Sequence, residues 1–144
     1  MELFFKDIEV EDFRGFDHLK MENFAKVNVL VGTNNVGKTT ILEALFMLTG
    51  MSLPILSARV NYLRKNGNAT LDEARYFFHG IDLQKQPILM AHTTAGARKM
   101  RLSASLYIDA RAGYGNDGHT GIKQLNIDFG TTLSGELPYH TLLY

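Results

Sequence analysis

An α/β fold is what this sequence predicts: a mixed sheet around a buried helix, followed by an antiparallel strand meander. Two observations carry it. VNVLV (27–31) runs through the glycine-containing GTNNVGKTT (32–40) into KTTILEALFMLT (38–49), a strand, a tight loop and an apolar helix in succession. Farther along, MRLSASLYI (100–108) and IKQLNIDF (122–129) alternate apolar and polar side chains, as strands of a sheet with one face buried do.

Composition bounds the function. The chain has 144 residues, enough for one domain with a core. Formal net charge is zero, so no global field draws it to nucleic acid or anionic lipid. The distribution is uneven: residues 1–50 carry five Lys/Arg against eight Asp/Glu, and residues 51–144 carry ten against seven. There is no cysteine, hence no disulfide framework and no thiolate metal site. The start, MELFFKDIEVED, is acidic and unlike a signal peptide. No apolar run is long enough to span a bilayer, so a cytoplasmic protein with no membrane partner is expected.

The elements follow in order. LFFKDIEVEDF (3–13) reads as a first strand, with Ile8 and Val10 alternating with acidic residues. RGFDHLKM (14–21) reads as a turn into a second strand piece. VNVLV is short and β-branched, as a buried strand is. The helix over 38–49 is apolar almost all round, which predicts burial, and Gly50 marks its end. Residues 51–69 carry the weakest signal, ending in the turn RKNGN. Thr70-Leu71-Asp72-Glu73 has the capping-box pattern and predicts a short helix to Phe78 or His79, stopped by Gly80. PILMAHTT (87–94), a glycine turn in AGARK and the two alternating strands complete the meander; the loop between those strands is glycine-rich.

Gly32-Thr-Asn-Asn-Val-Gly37-Lys38-Thr39 matches G-x-x-x-x-G-K-[ST]. Glycines let the backbone curl so that successive N–H groups converge on phosphate oxygens. The following helix adds the positive end of its dipole. Lys38 is placed to reach the β- and γ-phosphates, and the Thr39 hydroxyl to ligate Mg²⁺. The expected ligand is therefore a nucleotide with Mg²⁺, which the resemblance below makes ATP, and the bland alternative is a glycine-containing strand-to-helix turn.

FRGF (13–16) together with VNVLVGTNNVGKTTILEAL (27–45) resembles the N-terminal lobe of ATP-binding-cassette-type ATPases of the SMC, RecF and OLD groups. It is most similar to the prokaryotic AAA-type ATP-binding, OLD-like proteins. The resemblance is strong over residues 1–50 and loose over 70–130. It implies a P-loop NTPase lobe over residues 1–144, with the C-terminal lobe absent, an ATP-linked homodimer in the full-length protein, and work in DNA-linked processes such as repair or phage defence. It adds Arg14 to the nucleotide site, at the phosphates or ribose, although Arg14 equally reads as a surface arginine at a strand end. Gly32, Asn34, Asn35, Val36, Gly37, Lys38, Thr39 and Thr40 complete the expected set, with Asn34 and Val36 giving backbone amides and Thr39 the metal ligand. Asn35 stands where many relatives have glycine, a mild departure because Asn tolerates a left-handed backbone. Phe13 and Phe16 read as core.

Hydrolysis in that family also needs an apolar strand ending in Asp-Glu and a signature motif from a partner protomer. Neither is evident. Asp109 ends a strand but continues Ala-Arg, and Leu133-Ser134-Gly135-Glu136 precedes Pro138 where a helix should start. Gln84, Gln86 and Gln124 do not follow the last meander strand, where the resemblance puts a Mg²⁺-side glutamine. The five histidines show no ligand spacing, and Asp128-Phe129-Gly130 lacks a kinase context. Three other readings remain: a non-hydrolysing ATP-binding interaction module, a P-loop small-molecule kinase, which the meander disfavours, and a GTPase, which lacks its N-K-x-D motif. Arg98, Lys99 and Arg101 form a small basic cluster, either a DNA contact or a solvated hairpin end.

Overall fold

The computed structural model describes residues 4–50, 59–60, 70–109 and 119–131. Five strands form one sheet: β1 (Ile8–Phe13), β2 (Phe16–Met21), β3 (Ile88–Thr93), β4 (Gly96–Asp109) and β5 (His119–Gly130), in the order β2-β1-β3-β4-β5. Every pairing among these described strands is antiparallel, so the parallel part of the expected mixed sheet is not among them. The meander forms as the alternation predicts, with Gly96 at φ 110 in the β3–β4 turn and a register shift at Ser105/Leu106.

One face of this sheet is the core. Ile8 and Val10, Leu89 and Ala91, Met100 and Leu102, and Leu125 and Ile127 all point into it and are buried. In β1 the simple alternation fails at its end: Asp12 takes φ 49, and Phe13 beside it joins Ile8 and Val10 in the core. The other face carries Glu9, Glu11, His18, His92, Arg101 and Asp128, none of them buried.

The helix α1 (Lys38–Thr49) covers the core face with a helical stripe of Thr40, Ile41, Ala44, Met47 and Leu48. Its opposite side is not covered among the described residues: Leu42 and Phe46 are exposed. The helix exists where the sequence puts it, but it is half-buried rather than enclosed, because only one sheet face lies against it. Gly50 does end it, though at φ −109 rather than in a left-handed cap. The last carbonyls are taken instead by Arg98, whose Nη1 donates to Leu48 O at 2.6 Å and Thr49 O at 2.8 Å. That use of Arg98 breaks up the basic cluster. By strand alternation Lys99 and Arg101 lie on the other face, where Arg101 Nε is 3.7 Å from Asp128.

The capping-box segment forms a 3₁₀ helix, Leu71–Phe77, and a second short turn, His79–Ile81. No side-chain cap is made: the Glu73 amide donates to the Thr70 carbonyl instead. Gly80 at φ 64 interrupts the helix as expected.

VNVLV is the largest departure. It joins no strand, and Val27, Val29 and Val31 are 81%, 79% and 88% exposed. Asn28 is one cause. Its side chain accepts from the Ala25 amide and donates to the Ala25 carbonyl, a local closure that competes with strand pairing. The other cause is that no described strand lies beside it.

The turn between β1 and β2 is tied to α1 by a buried ion pair, Arg14 Nε to Glu43 Oε2 at 2.8 Å. The guanidinium also lies 4.7 Å from the Phe77 ring centroid and 5.6 Å from that of Phe13. Breaking such a pair from one side strands a charge in the interior, at a cost of about 3–5 kcal/mol. Glu43→Ala is therefore expected to lower stability by about that amount in urea unfolding. Glu43→Gln, which keeps a hydrogen-bond acceptor, should cost less.

Candidate phosphate-binding site

Residues 32–40 form a loop that turns into α1. Asn35 adopts φ 66 and Gly37 φ 93, the left-handed conformations that curl the loop, and Asn35 meets this need without being glycine. Gly37 is required twice over. A Cβ there would stand 2.3 Å from the Phe16 ring, so the ring occupies the space a side chain would take. At Gly32 a Cβ would meet Val36 Cγ2 at 3.0 Å, a less severe approach than at Gly37.

Gly37 is the N-cap of α1 and supplies no side chain, and the first turn holds no acidic residue. The first intrahelical bond is Ile41 N to Gly37 O at 3.0 Å. The preceding amides thus have no helical acceptor, and the dipole's positive end is left to an outside anion. Lys38 Nζ lies back over the loop, donating to Gly32 O at 2.7 Å and Thr33 O at 2.5 Å. Carbonyls hold an ammonium less strongly than anionic oxygens do, so this cation is available to phosphate. Thr39 is exposed beside it, while Thr40 is buried.

The loop borders a cleft of ≈ 1120 Å³ shared with two other segments. Asn34 to Thr40 form one boundary, and Arg14, Gly15 and Phe16 of the β1–β2 turn a second. The third comes from Tyr76, Phe78, Gly80 and Ile81, with Glu73. Arg14 thus borders the cleft. It is not the surface residue of the other reading: it is buried, its Nε pairs with Glu43, and its Nη1 donates to Tyr76 O at 3.3 Å. Phe13 is core as expected, whereas Phe16 is only half-buried and buttresses the loop.

The sequence left Glu43 and the Tyr76–Ile81 segment out of the site. A signal for Glu43 existed: a carboxylate on the buried side of an apolar helix must find a partner. No comparable signal marks Tyr76 or Ile81. Among the secondary candidates, Gln84 and Gln86 are exposed and lie outside the cleft, and Gln124 donates its amide to Asn126. Asp128 faces Arg101. The Asp109 side chain and Leu133–Glu136 lie outside the described residues. The histidines hold one surprise. His18 meets Glu9 at 2.8 Å on the open sheet face, with Glu11 close by, a grouping that pairing across β1 and β2 creates and linear spacing hides.

The donor set fits a phosphate chain with its divalent cation: uncapped helix amides, a loop-end ammonium, an exposed threonine hydroxyl and a glycine that admits no side chain. Gly37→Ala is expected to destabilise the fold by at least the roughly 1–2 kcal/mol of a left-handed non-glycine residue, with the Phe16 clash added. In a double-mutant cycle with Phe16→Ala, the two losses should fall short of additivity, because removing the ring removes the clash.

The comparisons agree with this geometry. An ATP/GTP phosphatase of Helicobacter pylori is 31% identical over 84 residues, covering 56% of this chain and 22% of that protein. The DNA replication and repair protein RecF of Bacillus mycoides is 37% identical over 46 residues, 32% of this chain and 12% of its own. That of Clostridioides difficile is 43% identical over 44 residues, 31% of this chain and 12% of its own. The chain thus spans about a fifth or less of the length of these relatives. The AAA ATPase domain family matches residues 4–120, taking in the loop, the helix and most of the sheet. With its glycine loop feeding an uncapped helix, this chain belongs to the AAA ATPase domain family, and the segments matched in RecF and in the ATP/GTP phosphatase are what it is similar to.

Proposed function

We propose that residues 32–40 bind Mg·ATP and that the chain is the N-terminal lobe of a larger ATPase. The observation that carries the reading is the uncapped start of α1, with the Lys38 ammonium held at its mouth by two carbonyls. In this reading Gly32, Asn34, Asn35, Val36 and Gly37 present backbone to the phosphates, Lys38 neutralises their charge, and Thr40 lends its amide. Thr39 holds the metal, and Arg14 stays beside the nucleotide from the turn. The metal's contribution when bound is to neutralise the β- and γ-oxygens.

The lobe reading is supported by apolar surface on one part of the molecule. Val27, Val29, Val31, Leu42 and Phe46 are all exposed, more than a self-sufficient domain usually leaves uncovered in a strand-like run and a helix face. A further part of the ATPase would cover them and add the parallel strand pairing that the sheet lacks here. The names of the relatives, an ATP/GTP phosphatase and a DNA replication and repair protein, support ATP turnover and a DNA-linked role such as repair or phage defence. Dimerisation through the nucleotide belongs to the same proposal, as does a cytoplasmic setting; no described helix is long and apolar enough to cross a membrane.

A phosphate-release assay beside a nucleotide-binding titration tests this. The 144-residue chain should bind Mg·ATP weakly and turn it over near background, because each missing preorganised group costs about 10²–10³-fold in rate. Lys38→Ala should remove most affinity and leave the circular dichroism spectrum unchanged. Steady turnover abolished by Lys38→Ala would mean that a complete site lies within these residues. Affinity that survives Lys38→Ala would move the site elsewhere.

A further inference from the structure

The open face of the sheet carries a grouping that nucleotide binding does not use. β1 places Glu9 and Glu11 two residues apart, so both carboxylates rise from the same face. β2 pairs antiparallel with β1, and the register sets His18 directly opposite Glu11 and diagonal to Glu9. One donor atom from each of the three lies within 4.8 Å of the other two, and His18 Nε2 is already 2.8 Å from Glu9 Oε1. An ion with ligands at about 2.0–2.2 Å holds its donors no more than about 4.4 Å apart, a span that small rotations of the two glutamate side chains reach.

Strand physics alone gives no reason for this set. Glutamate is depleted in strands, and β1 is not an edge: it lies between β2 and β3. On the β3 side the partners of Glu9 and Glu11 are Met90 and Ile88, both half-buried and apolar. That flank does not neutralise the carboxylates, and it lowers the local dielectric around them, which strengthens their attraction for a cation. Neighbouring charges on this face have nearer partners. Lys20, opposite Glu9, gives its Nζ to Glu22 at 2.9 Å, and Asp7 holds His92 at 2.9 Å. Two carboxylates thus face one imidazole. The side chains of Glu9 and His18 are 31% and 54% exposed, so an ion can enter and keep water on its remaining positions.

We propose that Glu9, Glu11 and His18 form a binding site for a divalent transition-metal ion of the Zn²⁺ class. Carboxylate oxygens alone would suit Mg²⁺ or Ca²⁺, and the imidazole nitrogen shifts the preference to Zn²⁺. None of the three residues borders the cleft of the phosphate loop, so the ion needs no nucleotide. Its consequence is mechanical. It ties β2, the outermost described strand on that side, to β1. These two strands flank the turn that carries Arg14, and Phe16 begins the second of them; the pair hold α1 and Gly37 in place.

The test titrates Zn²⁺ alone, without nucleotide, into the parent chain, Glu11→Gln, His18→Ala and His92→Ala by calorimetry, with thermal melts in the presence and absence of the ion. The parent should bind Zn²⁺ more tightly than Mg²⁺, and the ion should raise its melting temperature. Glu11→Gln and His18→Ala should each weaken Zn²⁺ at least about tenfold and remove the thermal shift, as loss of a ligand requires. Glu11→Gln is the stricter variant, because it preserves side-chain shape and leaves the Glu9–His18 contact in place. His92→Ala should leave affinity within about twofold of the parent, since its loss removes no ligand. Absence of Zn²⁺ binding by the parent overturns the site. So does unchanged affinity in Glu11→Gln, which would make Glu9 and His18 a plain cross-strand pair. Loss of binding in His92→Ala would move the ion to His92 and Asp7, and Mg²⁺ bound as tightly as Zn²⁺ would overturn the assigned class.

Discussion

The buried pair of Arg14 and Glu43 is the contact on which the rest of the site depends. A guanidinium and a carboxylate have been taken out of water together, at a desolvation cost that only good geometry and further partners offset. Those partners are present: the Phe77 and Phe13 rings lie against the guanidinium, and the Tyr76 carbonyl accepts from it. Arg14 itself sits at φ 53, a backbone conformation that bulky residues seldom adopt. The pair therefore fixes three things in one place: the β1–β2 turn, the face of α1 that meets the sheet, and the short helix ending at Phe77.

From that anchor the phosphate loop inherits its shape. Phe16, two residues beyond Arg14, fills the space above Gly37, and Gly37 starts the helix that Glu43 belongs to. The loop is thus held at its back by an aromatic ring while its front stays polar and open. Among the described residues, such an arrangement gives the helix amides and the ammonium no strong anionic partner, the condition under which an external phosphate is bound most strongly. The far end of α1 is treated oppositely: its carbonyls are satisfied internally by Arg98. One end of the helix is closed by the fold, and the other has no side-chain cap.

The sheet explains why the domain is two-layered. With all of its large buried side chains on one face, it presents a single apolar surface, and α1 with the Leu71–Phe77 helix covers it. The other face is lined by polar pairs such as Glu9 with His18 and Arg101 with Asp128. Among the described residues, the most exposed apolar run is VNVLV, and the outer side of α1 adds Leu42 and Phe46. These flank the phosphate loop on both sides in sequence, so any body that covers them also approaches the loop.

The sequence by itself determined the loop, the span of α1 and the meander. The loop was legible because its motif is contiguous and glycine and asparagine report backbone conformation directly; the strands were legible because a period of two in apolar residues marks one buried face. It also placed Lys38 and Thr39 at the helix start, the position from which their proposed roles are argued. Only the tertiary structure decided the rest. Whether VNVLV is a buried strand depends on a neighbouring strand, which no local pattern can supply, and Asn28 instead closes on Ala25. Whether α1 is enclosed or half-buried depends on how many layers meet it. Arg14 with Glu43 and Phe16 with Gly37 are contacts between residues distant in the chain, and Tyr76 and Ile81 share a cleft with the loop. Periodicity fixes which way a side chain points from its own element; which element it meets is set by how the strands assemble.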